Sequence, residues 1–257
     1  MAEYTGLIDG LVRRGAIWYT QDGIRPSSSE VLNMRKLLML THSAGFRHDY
    51  LPTAAEVVQK LGRESGEFEA IVTEDCSLVN AENLKNFDAL LFATTGELPM
   101  DESQKKALID FVKEQGKGFV GVHNATDTFY KFPEYGRMIG GYFDGHPWTQ
   151  EITVIVVDPN HPSTRHLPPT FRTKEEVYVH RDWSPDRTHV LLKLDNSSVD
   201  ISKGKRPDHY YALAWCHEYG KGRVFYTAFG HFKEVWGEEW FQKHLLGGIL
   251  WAMRAAE

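Results

Sequence analysis

Short apolar runs alternate with amphipathic stretches over the first half of the chain. Four runs are mostly apolar: KLLMLT (36–41), FEAIVT (68–73), ALLFA (89–93) and FVGV (119–122). Continuous apolar runs of this length are typical of strands that are buried on both faces of a parallel sheet. The pattern therefore predicts four central strands.

Helical patterns fill the gaps between these strands. Residues 51–62 carry Pro52 near the first turn and end at Gly62, while residues 101–118 open on acidic side chains and close on a glycine. A shorter helix is expected over 80–87. Since strands and helices alternate, we expect a parallel sheet with helices on both faces.

The second half of the chain contains strands with little helix between them. The predicted strands cover 151–158, 175–180, 189–194, 211–218 and 222–230. Some of them are expected to join the sheet as antiparallel strands. A closing helix is predicted over 238–255, because Phe241, Leu245, Ile249 and Met253 recur every four residues and form one apolar face. Residues 1–34 are interpreted as an N-terminal extension with a short helix, and residues 35–257 as a single domain.

Composition and charge exclude several classes of protein. The chain has 257 residues, 42% of them hydrophobic, and a net charge of −6 without a Lys/Arg-rich block, so we expect no nucleic-acid surface. No apolar run is long enough to cross a membrane, and the N-terminus lacks the apolar core of a signal peptide. Two cysteines, Cys76 and Cys216, form no disulfide framework. These features predict a soluble, cytoplasmic protein, and they leave a homo-oligomer open.

Polar side chains collect just after the predicted strands. In an open parallel sheet, ligands bind beyond the carboxyl ends of the strands, so such residues converge on one site. A glycine-rich loop over 140–150 adds further polar and aromatic side chains. The residues of this kind are His42, Arg47, His48, His123, Asp127, Tyr142, His146, Trp148, His231, Glu234 and Trp236. Their convergence predicts a small-molecule pocket.

Several motifs in order along the chain resemble the ThuA-like family, which is named for a trehalose-utilisation protein. They are THSAGFRHDYLP, KGFVGVHNATD, GGYFDGHPWTQ, EEVYVH and GKGRVFYTAFGHFKEVW, and the resemblance extends over residues 35–256. It implies an α/β fold with three layers, flavodoxin-like or class I glutamine amidotransferase-like. It also implies a carbohydrate as the small-molecule partner, such as a sugar or a 3-keto-sugar derivative.

The corner after the fourth strand carries His123, where the amidotransferases of this fold carry a cysteine. An imidazole does not readily form the thioester that glutamine hydrolysis requires, so that reaction is not expected. We instead assign His123 and His231 as a proton-transfer pair, with Glu234 orienting His231 and Glu176 as a further acid.

The remaining candidates are assigned to substrate binding. Arg47 and His48 would hold sugar oxygens or a developing enolate. The rings of Tyr142, Trp148 and Trp236 would offer flat apolar faces to a sugar. The same group includes His42, Asp127 and His146.

Two alternatives stay open at this stage. One is a metal-dependent hydrolase, because several candidates carry nitrogen or oxygen ligands for a divalent cation. Its ligand candidates are His42, His48, His123, His146, Glu176 and His231. The other is a non-catalytic module that binds a sugar or a partner on an amidotransferase-like scaffold.

Overall fold

The computed structural model describes residues 34–257, and these form one compact unit, Met34–Glu257. The extension predicted over 1–34 therefore falls outside the described residues, apart from Met34. Eleven strands are present in this part of the chain: β1 Arg35–Leu40, β2 Phe68–Thr73, β3 Ala89–Phe92, β4 Gly118–Val122, β5 Tyr142–Phe143, β6 Trp148–Val156, β7 Thr170–Val177, β8 His180–Arg181, β9 His189–Leu194, β10 Ala212–Tyr219 and β11 Gly222–Thr227. Its six α-helices are α1 Leu51–Ser65, α2 Ala81–Leu84, α3 Glu102–Lys113, α4 Pro133–Ile139, α5 Lys233–Gly237 and α6 Glu239–Ala252.

Nine strands form one mixed sheet in the order β2-β1-β3-β4-β11-β10-β9-β6-β7. The first five strands pair in parallel, and the remaining pairs are antiparallel. The parallel part has the flavodoxin-like order 2-1-3-4-5, with β11 in the fifth position. The α/β fold expected from the sequence, a parallel sheet with antiparallel strands added, is confirmed.

Two hydrophobic clusters lie on the two faces of the sheet. One contains the buried side of α1, such as Leu51 and Val58, together with Leu245 and Ile249 of α6. The other contains the buried sides of α3 and α4, such as Leu108. The sheet between two helical layers gives the three-layer arrangement, and none of the described helices is both long and apolar enough to cross a membrane.

Some boundaries differ from the sequence predictions for local reasons. β7 begins at Thr170 rather than 175, because its outer half alternates exposed and half-buried residues at the edge of the sheet. The helix predicted over 80–87 is only one turn long, Ala81–Leu84, and is capped by the side chain of Asn80. The sequence pattern does not predict α4, since this helix is only seven residues long.

The loops after β1, β3 and β4 contact one another at Gly96. This residue has φ +78°, and its N–H donates to the carbonyl of Asp127 at 2.7 Å. A Cβ at Gly96 would lie 2.7 Å from the backbone nitrogen of Gly45. The close approach leaves no room for a side chain between the loops that carry the polar residues.

The Gly96→Ala variant is therefore expected to be destabilised by about 2–4 kcal/mol, through backbone strain and steric overlap together. Denaturant unfolding would measure the loss. Gly66 is a matched control, because it has φ +68° but a Cβ there would meet no atom of residues 34–257 within 4 Å, so alanine at this position adds strain alone. Equal losses in both variants would contradict the close approach at Gly96.

Candidate active site

Four side chains that are far apart in the sequence meet at the carboxyl ends of the parallel strands. They come from the loop after β1 (His48), the corner after β4 (His123), strand β7 (Glu176) and the turn after β11 (His231). One nitrogen or oxygen of each lies within 4.8 Å of the corresponding atom of every other. We call these four residues the His/Glu cluster.

Glu176 reaches the cluster from the far edge of the sheet. Four strand spacings separate β7 from β11 in the sheet order, which in a flat sheet would be about 19 Å. Glu176 Oε2 nevertheless lies 3.1 Å from His231 Nδ1. The antiparallel half of the sheet therefore curls back over the ends of the parallel strands and closes one side of the site.

His123 occupies a strained corner and presents one ring nitrogen to the cluster. Its φ is +43°, a conformation that is uncommon for residues other than glycine. Nδ1 donates a hydrogen bond to the carbonyl of Ala228 at 2.8 Å, so the lone pair of the neutral ring is on Nε2. The side chain is fully buried, and this burial lowers its pKa despite the neighbouring Glu176. The ring is therefore neutral at pH 7, as a metal ligand or a proton acceptor must be.

Glu176 is the centre of the cluster. Its Oε2 lies 3.1 Å from His231 Nδ1 and 3.6 Å from His123 Nε2, and its Oε1 lies 3.2 Å from His146 Nδ1. Burial raises the pKa of Glu176, but the contacts with the imidazoles of His123 and His231 outweigh it and hold this pKa far below its usual range. In return, Glu176 overcomes the effect of burial on His231 and raises the pKa of that imidazole.

His48 is held by a buried chain of polar side chains. Its Nδ1 lies 3.2 Å from the amide of Asn124, and the hydroxyl of Tyr50 donates to the other end of that amide at 2.6 Å. The ring of Trp236 stacks on Tyr50 at 5.5 Å between centroids. Burial, followed by the charges of His123 and His231, lowers the pKa of His48 to about 3. The His48 ring is therefore also neutral at pH 7.

The neighbouring Glu175 faces the opposite way and anchors the turn that carries His231. Its carboxylate, 1% exposed, accepts hydrogen bonds from the backbone N–H of Gly230 at 2.8 Å, Glu176 at 2.9 Å and His231 at 3.2 Å. Burial raises its pKa to about 7, against the opposing effect of these three N–H groups. One side chain thus fixes the backbone at His231 relative to the backbone at Glu176.

The donor set suits a divalent transition metal. Three imidazole nitrogens and one carboxylate match zinc, manganese, iron, cobalt or nickel rather than calcium or magnesium, which prefer oxygen ligands alone. Donors bound at about 2.1 Å in a tetrahedron lie about 3.4 Å apart. The closest donor pairs in the cluster are already at 3.1 and 3.2 Å, so small movements of the more distant side chains would complete such a site.

Glu234 does not orient His231, contrary to the sequence prediction. It is exposed on α5 and lines a separate cavity, whereas the carboxylate that contacts His231 belongs to Glu176. The short spacing between His231 and Glu234 in the sequence suggests a contact, but His231 lies in the turn before α5 and Glu234 lies on the exposed side of that helix. Glu176, expected as a further acid, has the position predicted for Glu234.

Three predicted binding residues lie near the site but make other contacts. Arg47 forms a two-bond ion pair with the exposed carboxylate of Glu74, and His42 Nδ1 contacts the backbone carbonyl of Glu74 at 2.9 Å. Asp127 accepts a hydrogen bond from the hydroxyl of Tyr130 at 2.5 Å. None of the three belongs to the His/Glu cluster. His146, in contrast, is at its rim, with a side chain that is 48% exposed.

The three aromatic rings predicted to stack on a sugar are buried, so that prediction is wrong. Trp148 is 2% exposed and donates to the carbonyl of Asp200, and Tyr142 donates to the carbonyl of Phe132. Trp236 is fully buried and donates to the carbonyl of Gly230. These rings support the walls of the site and offer no face to a ligand.

Neither cysteine is a nucleophile at this site. Cys76 and Cys216 are both buried and unpaired. Burial is the main reason that the pKa of Cys76 rises to about 11 and that of Cys216 to about 12, so both remain thiols at pH 7. The corner after β4 holds His123 instead.

Glu175 and Asn124 are supporting residues for which the sequence pattern predicts no role. Asn124 directly follows His123 in the motif KGFVGVHNATD, and Glu175 directly precedes Glu176 in the motif EEVYVH. The sequence contains no signal for their roles, because each acts through a partner more than 50 residues away.

The family model for ThuA, described as trehalose utilisation, matches residues 36–252 of the chain. Among solved structures, the chain is similar to a ThuA-like protein from Bacteroides uniformis, with 22% identity and a TM-score of 0.71 over 90% of this chain and 95% of that one. A ThuA-like protein from Parabacteroides merdae has 18% identity and a TM-score of 0.67 over 87% and 91% of the two chains.

A cytoplasmic protein from Salmonella typhimurium is more distant, with 12% identity and a TM-score of 0.56 over 85% of this chain and 99% of that one. No curated protein sequence matches the chain. At these identities, the structural neighbours establish the fold alone. The family model, which covers most of the chain, establishes more: this protein belongs to the ThuA family, whose description points to a carbohydrate-related function.

Proposed function

We propose that this protein is a cytoplasmic enzyme that acts on a sugar or a 3-keto-sugar derivative at a divalent metal centre. The metal ligands would be His48, His123, Glu176 and His231. The observation that carries the proposal is the convergence of three imidazoles and one carboxylate within 4.8 Å, at the end of the sheet where ligands of such folds bind. Acid–base chemistry by His123 alone is less well supported, because that ring is fully buried and cannot touch a substrate.

A carbohydrate substrate is supported by the family description and by the chemistry of the site. A keto group makes the adjacent C–H acidic, so a base and an electrophile suffice where an unactivated glycosidic bond would need stronger catalysis. A metal bound in the cluster would supply the electrophile by polarising the carbonyl oxygen or a bound water.

The remaining groups at the rim would move the proton. His146 is exposed, and its Nδ1 lies 3.2 Å from Glu176 Oε1, so it can exchange a proton with a substrate while keeping a fixed orientation. Glu175, Asn124 and the carbonyl of Ala228 would hold the ligand side chains in place. The curled sheet edge around Glu176 would limit access of water.

Metal-free protein is expected to bind one Mn²⁺ or Zn²⁺ at the His/Glu cluster. Glu176→Gln should lower the affinity at least about 100-fold, because it removes an anionic ligand and the partner of three imidazoles. Calorimetric titration measures the number of metal ions bound and the affinity of each protein for them. Asp158→Asn is a matched control, since Asp158 pairs with His189 at 2.7 Å outside the cluster. Equal affinity in the parent protein and the Glu176 variant would contradict the metal centre.

An assay of turnover distinguishes the metal-dependent enzyme from a non-catalytic module and from acid–base chemistry without a metal. Incubation with 3-keto-trehalose should yield a new product, whose formation a chelator abolishes and added metal restores. A bound but unchanged sugar, with or without metal, would favour the non-catalytic module. Turnover that survives complete metal removal would favour acid–base chemistry by the side chains alone.

A further inference from the structure

A second cavity lies next to the His/Glu cluster, between strand β7 and helix α5. Its volume is about 330 Å³. It is lined by Thr173, Lys174, Phe232, Glu234, Val235 and Glu238. Nothing in the site described above uses these side chains.

The cavity and the cluster share the same two segments of chain. On β7, Lys174 is two residues before Glu176, so the two side chains are on the same face of the strand and about 7 Å apart. In the turn after β11, Phe232 directly follows His231, and their ring centroids are 4.9 Å apart. The cavity and the cluster are therefore built on the same two segments and lie side by side.

The lining combines a flat apolar ring with charged hydrogen-bonding groups. Phe232 is half-buried, and Lys174 Nζ lies 4.8 Å from the centre of its ring. Among the described residues, neither Glu234 nor Glu238 forms an ion pair, so both carboxylates are available to accept hydrogen bonds. A ring that covers the C–H face of a pyranose and carboxylates that accept from its hydroxyls are suited to a neutral sugar.

The charge and the volume of the cavity further restrict the class of ligand that it can bind. Two carboxylates against one ammonium disfavour a phosphate or another anion. A volume of about 330 Å³ is at the lower end of the range of about 300–1,000 Å³ for small-molecule sites, which suits one ring rather than an oligosaccharide.

We propose that this cavity is the subsite for the second ring of a two-ring glycoside whose first ring is bound at the His/Glu cluster. The inference rests on the proposed function and adds to it the residues that bind the second ring. Phe232 packs against the second ring, and Lys174 and Glu234 bind its hydroxyls. Glu234 thus has a binding role in place of the catalytic role that the sequence suggests.

The test compares one-ring and two-ring substrates with the full chain. The parent protein, Phe232→Ala and Glu234→Gln are assayed on 3-keto-trehalose and on methyl 3-keto-α-D-glucopyranoside. The variants are expected to lose about 10- to 100-fold in kcat/KM on the two-ring substrate, mainly through KM, and less than about 2-fold on the methyl glycoside. Glu239→Gln is the matched control, because Glu239 is exposed on α6 and pairs with Lys243 away from the cavity.

Equal losses on both substrates, or no loss on either, would overturn the subsite and leave the proposed function intact. If the parent protein turned over neither substrate, the proposed function would fail. The subsite would then be judged by calorimetric binding of trehalose itself. Weaker binding in Phe232→Ala than in the parent, with metal affinity unchanged, would support the subsite, and equal binding would overturn it.

Discussion

The His123→Ala variant is expected to lose turnover by at least about 10³-fold while the protein stays folded. The substitution removes a neutral Nε2 from the cluster and leaves Glu176 and His231 without their buried neighbour. The cost to folding is one hydrogen bond to the carbonyl of Ala228 and a small cavity, about 2–4 kcal/mol. That cost is within the stability of about 5–15 kcal/mol that is usual for a domain. Steady-state kinetics and circular dichroism would measure the two effects separately.

The control for this prediction is a half-buried histidine with a similar contact. His217 also uses one ring nitrogen to contact a backbone carbonyl, that of Met138 at 2.9 Å, but it lies on β10 away from the cluster. His217→Ala should lose comparable stability and keep its turnover. If His123→Ala retained full activity, or if both variants lost activity in parallel with stability, His123 would have no role in the chemistry.

The gathering of His48, His123 and His231 could be predicted from the sequence because it follows from topology. Each residue comes just after a strand of the parallel part of the sheet, and such strands end at one edge. The inference needs only the order of the strands and no detail of side-chain packing. The inference therefore holds even when the predicted boundaries of the strands are wrong by several residues.

The carboxylate partner could not be predicted in the same way. Glu176 reaches the cluster because the antiparallel half of the sheet curls over the strand ends. The curvature of a sheet cannot be predicted from a hydrophobic pattern. Glu234 is only three residues from His231 in the sequence, but nearness along the chain does not ensure nearness in space. In the structure, the side chain of Glu234 is exposed, and the carboxylate beside His231 is that of Glu176.

The prediction that Tyr142, Trp148 and Trp236 stack on a sugar is wrong for another reason. A tryptophan in a polar loop motif looks the same in sequence whether its ring lines a pocket or fills the core. Trp236 illustrates this, because it is fully buried and supports Tyr50, which in turn orients Asn124 against His48. Its contribution to the site is indirect, and only the packing reveals it.

The Glu175→Ala variant is expected to lose both stability and metal affinity. It leaves three backbone N–H groups without an acceptor in the interior, at a cost of about 3–6 kcal/mol. The turn at Gly230 and His231 would then be free to move relative to Glu176, so the ligands would no longer be held in position. Chemical denaturation and calorimetric titration of metal-free protein with Mn²⁺ would measure the two effects.

Glu175→Gln distinguishes a positioning role from a general loss of folding. The amide keeps the size of the side chain and one acceptor oxygen, but its NH₂ group opposes at least one of the three N–H donors. The protein should therefore remain folded, with metal affinity about 10- to 100-fold lower and kcat reduced more than KM is raised. Glu151→Gln on the neighbouring strand β6 is the control, because that carboxylate is exposed and pairs with Arg172. A Glu175→Gln variant that bound metal as tightly as the parent would show that the position of His231 does not depend on Glu175, and the buried carboxylate would then be a structural feature of the turn alone.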